Sequence, residues 1–225
     1  MMTALTLGLT LSASAQTMQN TSSTSDASPG QTPSAPGPGL IGTSYVELSY
    51  GYQKQENEPT SLRDFELVSN GAVQKVNNWG LDGNFTYDHA YGYANNFSDR
   101  RDEIEVGPTA FLTEFWGKPF VTADAGFAWQ HAAGMSRKSY AYTVTGGVEF
   151  QVANNWVLTP YIEYQGEPHL ANHSLPIANL PNFVLSYGVK ATYRFTANWD
   201  ASVGIDQDDH GGRDLGLRGG VSYHF

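Results

Sequence analysis

The sequence predicts an all-β protein: a transmembrane, antiparallel, up-and-down β-barrel of ten strands, with eight as the competing count. Three observations carry that prediction. Apolar and polar residues alternate with a period of two through most of residues 43–225, which gives each segment one greasy and one wet face. Aromatic residues gather at the ends of these segments, as they do where a barrel wall meets a membrane interface. Tight connections alternate along the chain with longer polar ones, the pattern of an up-and-down sheet.

The elements follow in order. Residues 43–53 set Val46, Leu48, Tyr50 and Tyr52 against Glu47, Ser49 and Gly51, and residues 62–75 repeat the pattern weakly through Phe65, Leu67 and Val73. Residues 78–88 oppose Trp79, Leu81, Phe85 and Tyr87 to Asp82, Asn84, Thr86 and Asp88. Residues 103–115 carry Ile104, Val106, Ala110 and Leu112 against Glu103, Glu105, Thr109 and Thr113. Residues 119–131 place Val121, Ala123, Phe127 and Trp129 opposite Thr122, Asp124 and Gln130. In residues 139–151, Tyr140, Tyr142, Val144, Val148 and Phe150 face away from Thr143, Thr145, Glu149 and Gln151. Residues 156–165, 183–195 and 198–207 continue the alternation, and residues 214–225 close it with Leu215, Leu217, Val221, Tyr223 and Phe225 on one parity.

Val76-Asn77-Asn78, Trp116-Gly117-Lys118, Ala153-Asn154-Asn155 and Thr196-Ala197-Asn198 read as tight turns. The polar segments 54–61, 89–102, 132–138, 166–182 and 208–213 read as the long connections between them. Short turns belong on the periplasmic side of such a barrel and long loops outside, so both termini are expected to be periplasmic. One dipeptide opposes the ten-strand count. Asn70-Gly71 is a strong hairpin signal, and if it turned, residues 62–79 would form a hairpin of their own. The preferred reading makes Asn70 a lumen-facing residue inside a strand.

Composition narrows the functional classes. The chain has 225 residues and a formal net charge of −10, with 12 Lys and Arg against 22 Asp and Glu, too few bases for a phosphate-binding nucleic-acid surface. It contains no Cys, which removes disulfides and thiolate metal sites. Residues 1–15 are an apolar run ending in Ala13-Ser14-Ala15, which reads as a signal peptide cut after Ala15. Residues 16–42 are polar and then rich in Pro and Gly, with little apolar surface to bury, and read as a disordered periplasmic leader. The barrel itself is assigned to residues 43–225.

The stretches YVELSYGYQ, GVEFQVANNWVLTPYIEY, YGVKATYRFTANWDASVGI and the closing GVSYHF resemble the small outer-membrane β-barrels of Gram-negative bacteria, the OmpA-like and OmpX-like members of the porin family. The resemblance implies outer-membrane lipid as the surroundings. It also implies that the barrel assembly machinery reads the terminal strand, where Tyr223 and Phe225 match the signal. These motifs specify architecture, and nothing here resembles the peptidoglycan-binding domain of full-length OmpA.

If the apolar faces meet lipid, the opposite faces line an interior, and Glu47, Asp82, Asp124, Glu149, Glu163, Lys190, Arg194, Asp200 and Arg218 fall there. Ionised groups in a narrow lumen must be paired or hydrated, and a barrel of this size is filled largely by its own side chains. The expected function is therefore a largely plugged barrel with a structural or surface-interaction role. A narrow passive pore for ions or small solutes is the alternative, and an omptin-like protease comes third.

The protease reading rests on Asp206-x-Asp208-x-His210, where an Asp-oriented His would activate water. Omptins pair that element with a second acidic pair, and no matching Asp-x-Asp occurs elsewhere. His173-Ser174 lacks an orienting acid, and Glu167, His169 and His173 form at most a loop cluster for a divalent metal. No enzyme activity, cofactor, metal or nucleic-acid partner is expected.

Overall fold

Ten antiparallel strands close on themselves in a computed structural model that describes residues 39–54, 61–94, 97–114, 116–132, 135–166, 183–210 and 212–225. They are β1 Tyr45–Lys54, β2 Ser61–Val76, β3 Trp79–Ala94, β4 Phe97–Leu112, β5 Lys118–Ala132, β6 Met135–Ala153, β7 Trp156–Gly166, β8 Phe183–Arg194, β9 Trp199–His210 and β10 Gly212–His224. Each strand pairs with its sequence neighbours, and β1 pairs with β10 from Tyr45↔His224 to Lys54↔Leu215, so the sheet has no edge.

The register sets the tilt. Following paired residues around the wall leads from Gly80 through Phe111, Phe120, Gly147, Tyr161, Gly188, Asp206, Gly216, Gln53 and Leu62 back to β3, but at Gly92. That stagger obliges every strand to lean against the barrel axis.

Residues of this spiral point inward, and glycines flank the large rings among them, leaving each ring room in a narrow lumen. The Phe111 ring lies over Gly80, the Phe120 ring over Gly147 and the Tyr161 ring over Gly188, where an added Cβ would meet ring atoms.

The outer wall is apolar. Leu48 is 59% exposed, Val203 51% and Leu217 56%, whereas Glu47 is 4% exposed and Asp82 1%. Burial is thus inverted relative to a water-soluble domain, which hides its large apolar side chains. Aromatic pairs ring the end that carries the termini: Trp156 with Tyr193 at 4.9 Å between centroids, Trp199 with Tyr223 at 5.0 Å, and Trp116 with Phe150 at 6.2 Å.

Asn70-Gly71 does not turn. Both residues lie inside β2, where Asn70 pairs with Asn84 and donates from Nδ2 to the Thr43 carbonyl at 2.6 Å and to Asp82 at 3.2 Å. A register shift between Ala72 and Gln74 follows at once, and the bulge absorbs the flexibility that made the dipeptide look like a hairpin.

The long connections are the main correction. β3 and β4 stay paired to Ala94↔Phe97 and β5 and β6 to Ala132↔Met135, so most of segments 89–102 and 132–138 is strand. Residues 208–213 likewise continue the β9–β10 pairing to His210↔Gly212. The backbone ladder needs no apolar alternation to persist, so the period-two signal ends before the strands do. Of the predicted long connections, 54–61 and 166–182 fall almost wholly outside the described residues, as do the signal peptide and the leader up to residue 38.

Candidate functional site: the barrel interior

The interior is built by parity. A strand that shows Val46, Leu48 and Tyr50 outward must turn Glu47, Ser49 and Gly51 inward. The same rule brings Glu47, Asp82, Asp124, Glu149, Glu163, Lys190, Arg194, Asp200 and Arg218 inside. Ion pairs then form across the lumen between residues far apart in sequence. Lys190 Nζ donates to Glu47 Oε1 at 2.7 Å and Oε2 at 2.8 Å, and Ser202 Oγ adds a bond to the same carboxylate at 2.9 Å. Arg218 grips Asp64 and Glu66 of β2, reaching past β1.

A second layer lies at the end that holds the termini. Arg194 makes a two-pronged contact with Asp200, Nε to Oδ1 at 2.7 Å and Nη2 to Oδ2 at 3.0 Å. His224 Nε2 is 2.8 Å from Asp200 Oδ2 and 3.0 Å from Arg194 Nη2. Asp200 is fully buried, so this pair has left water and depends on its bonds.

Residues 39–42 cross this end of the lumen. The Leu40 and Ile41 amides donate to Glu149 Oε1 on β6 at 2.8 and 3.2 Å, and the Gly42 amide donates to Asp82 Oδ2 on β3 at 2.7 Å. Lys118 Nζ on β5 donates to the Ile41 carbonyl at 3.1 Å, and Arg194 Nη2 on β8 reaches the Gly39 carbonyl at 3.4 Å. A segment that leaves β1 and is held by β3, β5, β6 and β8 must span the barrel's width. Gly39 and Gly42 have φ of 121° and 78°, backbone that side chains rarely adopt, so the turn into the lumen needs glycine. Leu40 is buried, and the Phe111 ring packs against Gly42.

Above this layer is a cavity of about 720 Å³, bounded below by Leu40, Ile41 and Tyr45 and reaching Gln53 and Asp208 toward the end opposite the termini, where β3 turns into β4 and β5 into β6, called the hairpin end. Carboxylates far outnumber Arg101, Lys190 and Arg218 in its wall. Among the described residues, Asp88 Oδ1, Glu105 Oε1 and Asp124 Oδ1 are buried with no hydrogen-bond partner. The interior is acidic beyond what its bases neutralise.

Sequence parity did not single out Asp64, Glu66, Lys118 or the bonded segment 39–42. Asp64 and Glu66 share a parity opposite Phe65 and Leu67, a signal diluted by the bulge that follows. Residues 39–42 show no periodicity at all.

Asp206 and Asp208 line the cavity, and Asp208 accepts from both Gln53 and Ser186. The side chain of His210 and residues Glu167, His169, His173 and Ser174 lie outside the described residues. Among the described residues, no group of three or more His, Asp or Glu could hold a metal ion.

Fold and interior together define a membrane-type β-barrel: closed, greasy outside, charged within. No family model and no curated protein matches the chain. Solved structures similar to it include the translocator domain of the autotransporter NalP from Neisseria meningitidis, at 11% identity and TM-score 0.43, covering 81% of this chain and 87% of that one. The KdgM porin is similar at 14% identity and TM-score 0.38, covering 80% and 99%. Neisserial surface protein A is similar at 16% identity and TM-score 0.44, covering 81% and 97%.

Proposed function

We propose that the protein is an outer-membrane β-barrel of a Gram-negative bacterium, with periplasmic termini and a lumen closed at the periplasmic end, serving a structural or surface-interaction role. The observation that carries this reading is the run of bonds from Gly39–Gly42 to β3, β5, β6 and β8. A chain segment fixed across the lumen, over the Arg194–Asp200–His224 layer, blocks free diffusion where a pore would need to be open. The apolar exterior, with aromatic pairs at the terminus end, supports the membrane setting.

Insertion after signal-peptide cleavage, with Tyr223 and Phe225 read by the barrel assembly machinery, belongs to the same proposal. We infer no catalytic role, since Asp208 is engaged by Gln53 and Ser186 inside the lumen rather than presented at a groove.

Single-channel recording of the refolded protein in planar bilayers tests the plug. The expected trace is silent, and steady discrete current steps would reject the closed lumen. One observation favours a second reading, narrow passage of small cations: the surplus of carboxylates in the cavity wall. That reading predicts small steps that vanish in anion-only gradients.

A further inference from the structure

On the outer wall, β2 runs Leu67, Phe65, Arg63 toward the hairpin end, and β4 runs Val106, Ile104, Asp102, Arg100. On β2 the apolar residues give way to a ring and then a base, and on β4 to an acid and then a base. Arg63 and Arg100 both pair with Tyr91 of β3, one from each side. Strands lie about 4.8 Å apart, so the two arginines leave the wall on either side of one tyrosine. Arg63 hydrogen-bonds the Tyr91 hydroxyl and is exposed.

Arg100 is oriented by Asp102, with Nε to Oδ2 at 2.9 Å, yet its side chain remains 58% exposed. Asp102 is in turn shared with His89 Nδ1 at 2.8 Å and the Tyr87 hydroxyl at 3.0 Å, so its single charge is spread over three donors. Two strands further on, Lys138 Nζ sits 4.3 Å from the centre of the Phe127 ring and 5.4 Å from that of Trp129. Aromatic faces hold a cation at an apolar edge while leaving it available to an anion.

Further toward the terminus end on β7 and β8, Tyr164 and Tyr187 face outward. Lys54 of β1 shares the outward parity of Tyr50 and Tyr52 at this end, so among the described residues exposed bases run from β1 to β6. They lie outside a lumen whose charge is negative, on a chain whose net charge is −10.

We infer that the Arg63–Tyr91–Arg100 face, with Lys138 beside it, binds the phosphate of a phosphorylated lipid headgroup in the leaflet at the hairpin end. The inference rests on the membrane-barrel reading above. Guanidinium groups suit phosphate because their planar donors match its oxygens, and at a membrane edge the phosphate lies at the height where the apolar band stops. Acyl chains of the same lipid would run down the greasy faces of β2–β4, over Leu67 and Ile104.

Refolding the full chain into detergent and checking heat-dependent gel mobility first establishes the barrel, independently of what it binds. Affinity is then measured by native mass spectrometry for bisphosphorylated lipid A and for the same lipid stripped of phosphate. The expected result is at least tenfold tighter binding of the phosphorylated form, lost in the R63A/R100A/K138A variant and kept in Lys75→Ala, a base near the other end of β2. Equal binding of the two lipids, or equal loss in Lys75→Ala, overturns the inference. If the triple variant fails to fold, Arg100→Gln and the salt dependence of wild-type binding take its place: affinity unchanged in both is the overturning result. Displacement by inorganic phosphate at equal concentration would reassign the site to a free anion.

Discussion

The Leu40 amide donates to Glu149 Oε1 at 2.8 Å across 109 residues of sequence, joining the segment before the first strand to the far wall of the barrel. β1 and β6 stand opposite one another in a ten-stranded ring, so this bond lies across the lumen. Asp82 supplies the second anchor through Gly42. In the double variant Glu149→Ala/Asp82→Ala the segment loses both carboxylates. Discrete conductance steps should then appear where the wild type is silent, and persistent silence would mean that the segment is not what closes the lumen.

Arg194→Ala leaves Asp200 fully buried, with His224 its remaining partner among the described residues. Removing one partner of a buried pair costs about 3–5 kcal/mol, since the remaining charge keeps its desolvation penalty. Urea unfolding in lipid vesicles should show a loss of that size, partly recovered by the second substitution Asp200→Asn. A change below about 1 kcal/mol would show that water reaches this layer.

Gly80→Ala places a methyl group against the Phe111 ring. Overpacking of this kind costs about 1–3 kcal/mol. Phe111→Leu made in the Gly80→Ala background should return part of the loss, a coupling that a double-mutant cycle reads directly. Strict additivity of the two substitutions would count against the ring-over-glycine packing.

Leu48 lies midway along β1, facing out between Leu67 and Val221. Leu48→Arg should cost about 2–4 kcal/mol in a bilayer, because an ionised group there faces acyl chains. In a protein whose outer wall met water the same substitution would be nearly neutral, so unfolding in vesicles separates the two settings.

Strand number and facing were legible in the chain because the pleat alternates with a period of two and needs only local residue order. Val46, Leu48 and Tyr50 declared their side without reference to any partner, and so did Glu47. Strand ends were not legible: beyond Tyr87 and before Glu103 the alternation weakens while the ladder continues to Ala94↔Phe97. Asn70-Gly71 carried a true local turn preference, overruled by pairing with β1 and β3 and by the bond to Thr43.

By itself, then, the sequence determined a wall with two chemically distinct faces and the residues on each. Only the tertiary structure decided which interior charges meet, that Gly39–Gly42 lie across the mouth, and that Arg63 and Arg100 stand either side of Tyr91. Facing depends on the next residue along the strand. Those contacts depend on closure and stagger, which bring together residues whose order in the chain carries no trace of their distance in space.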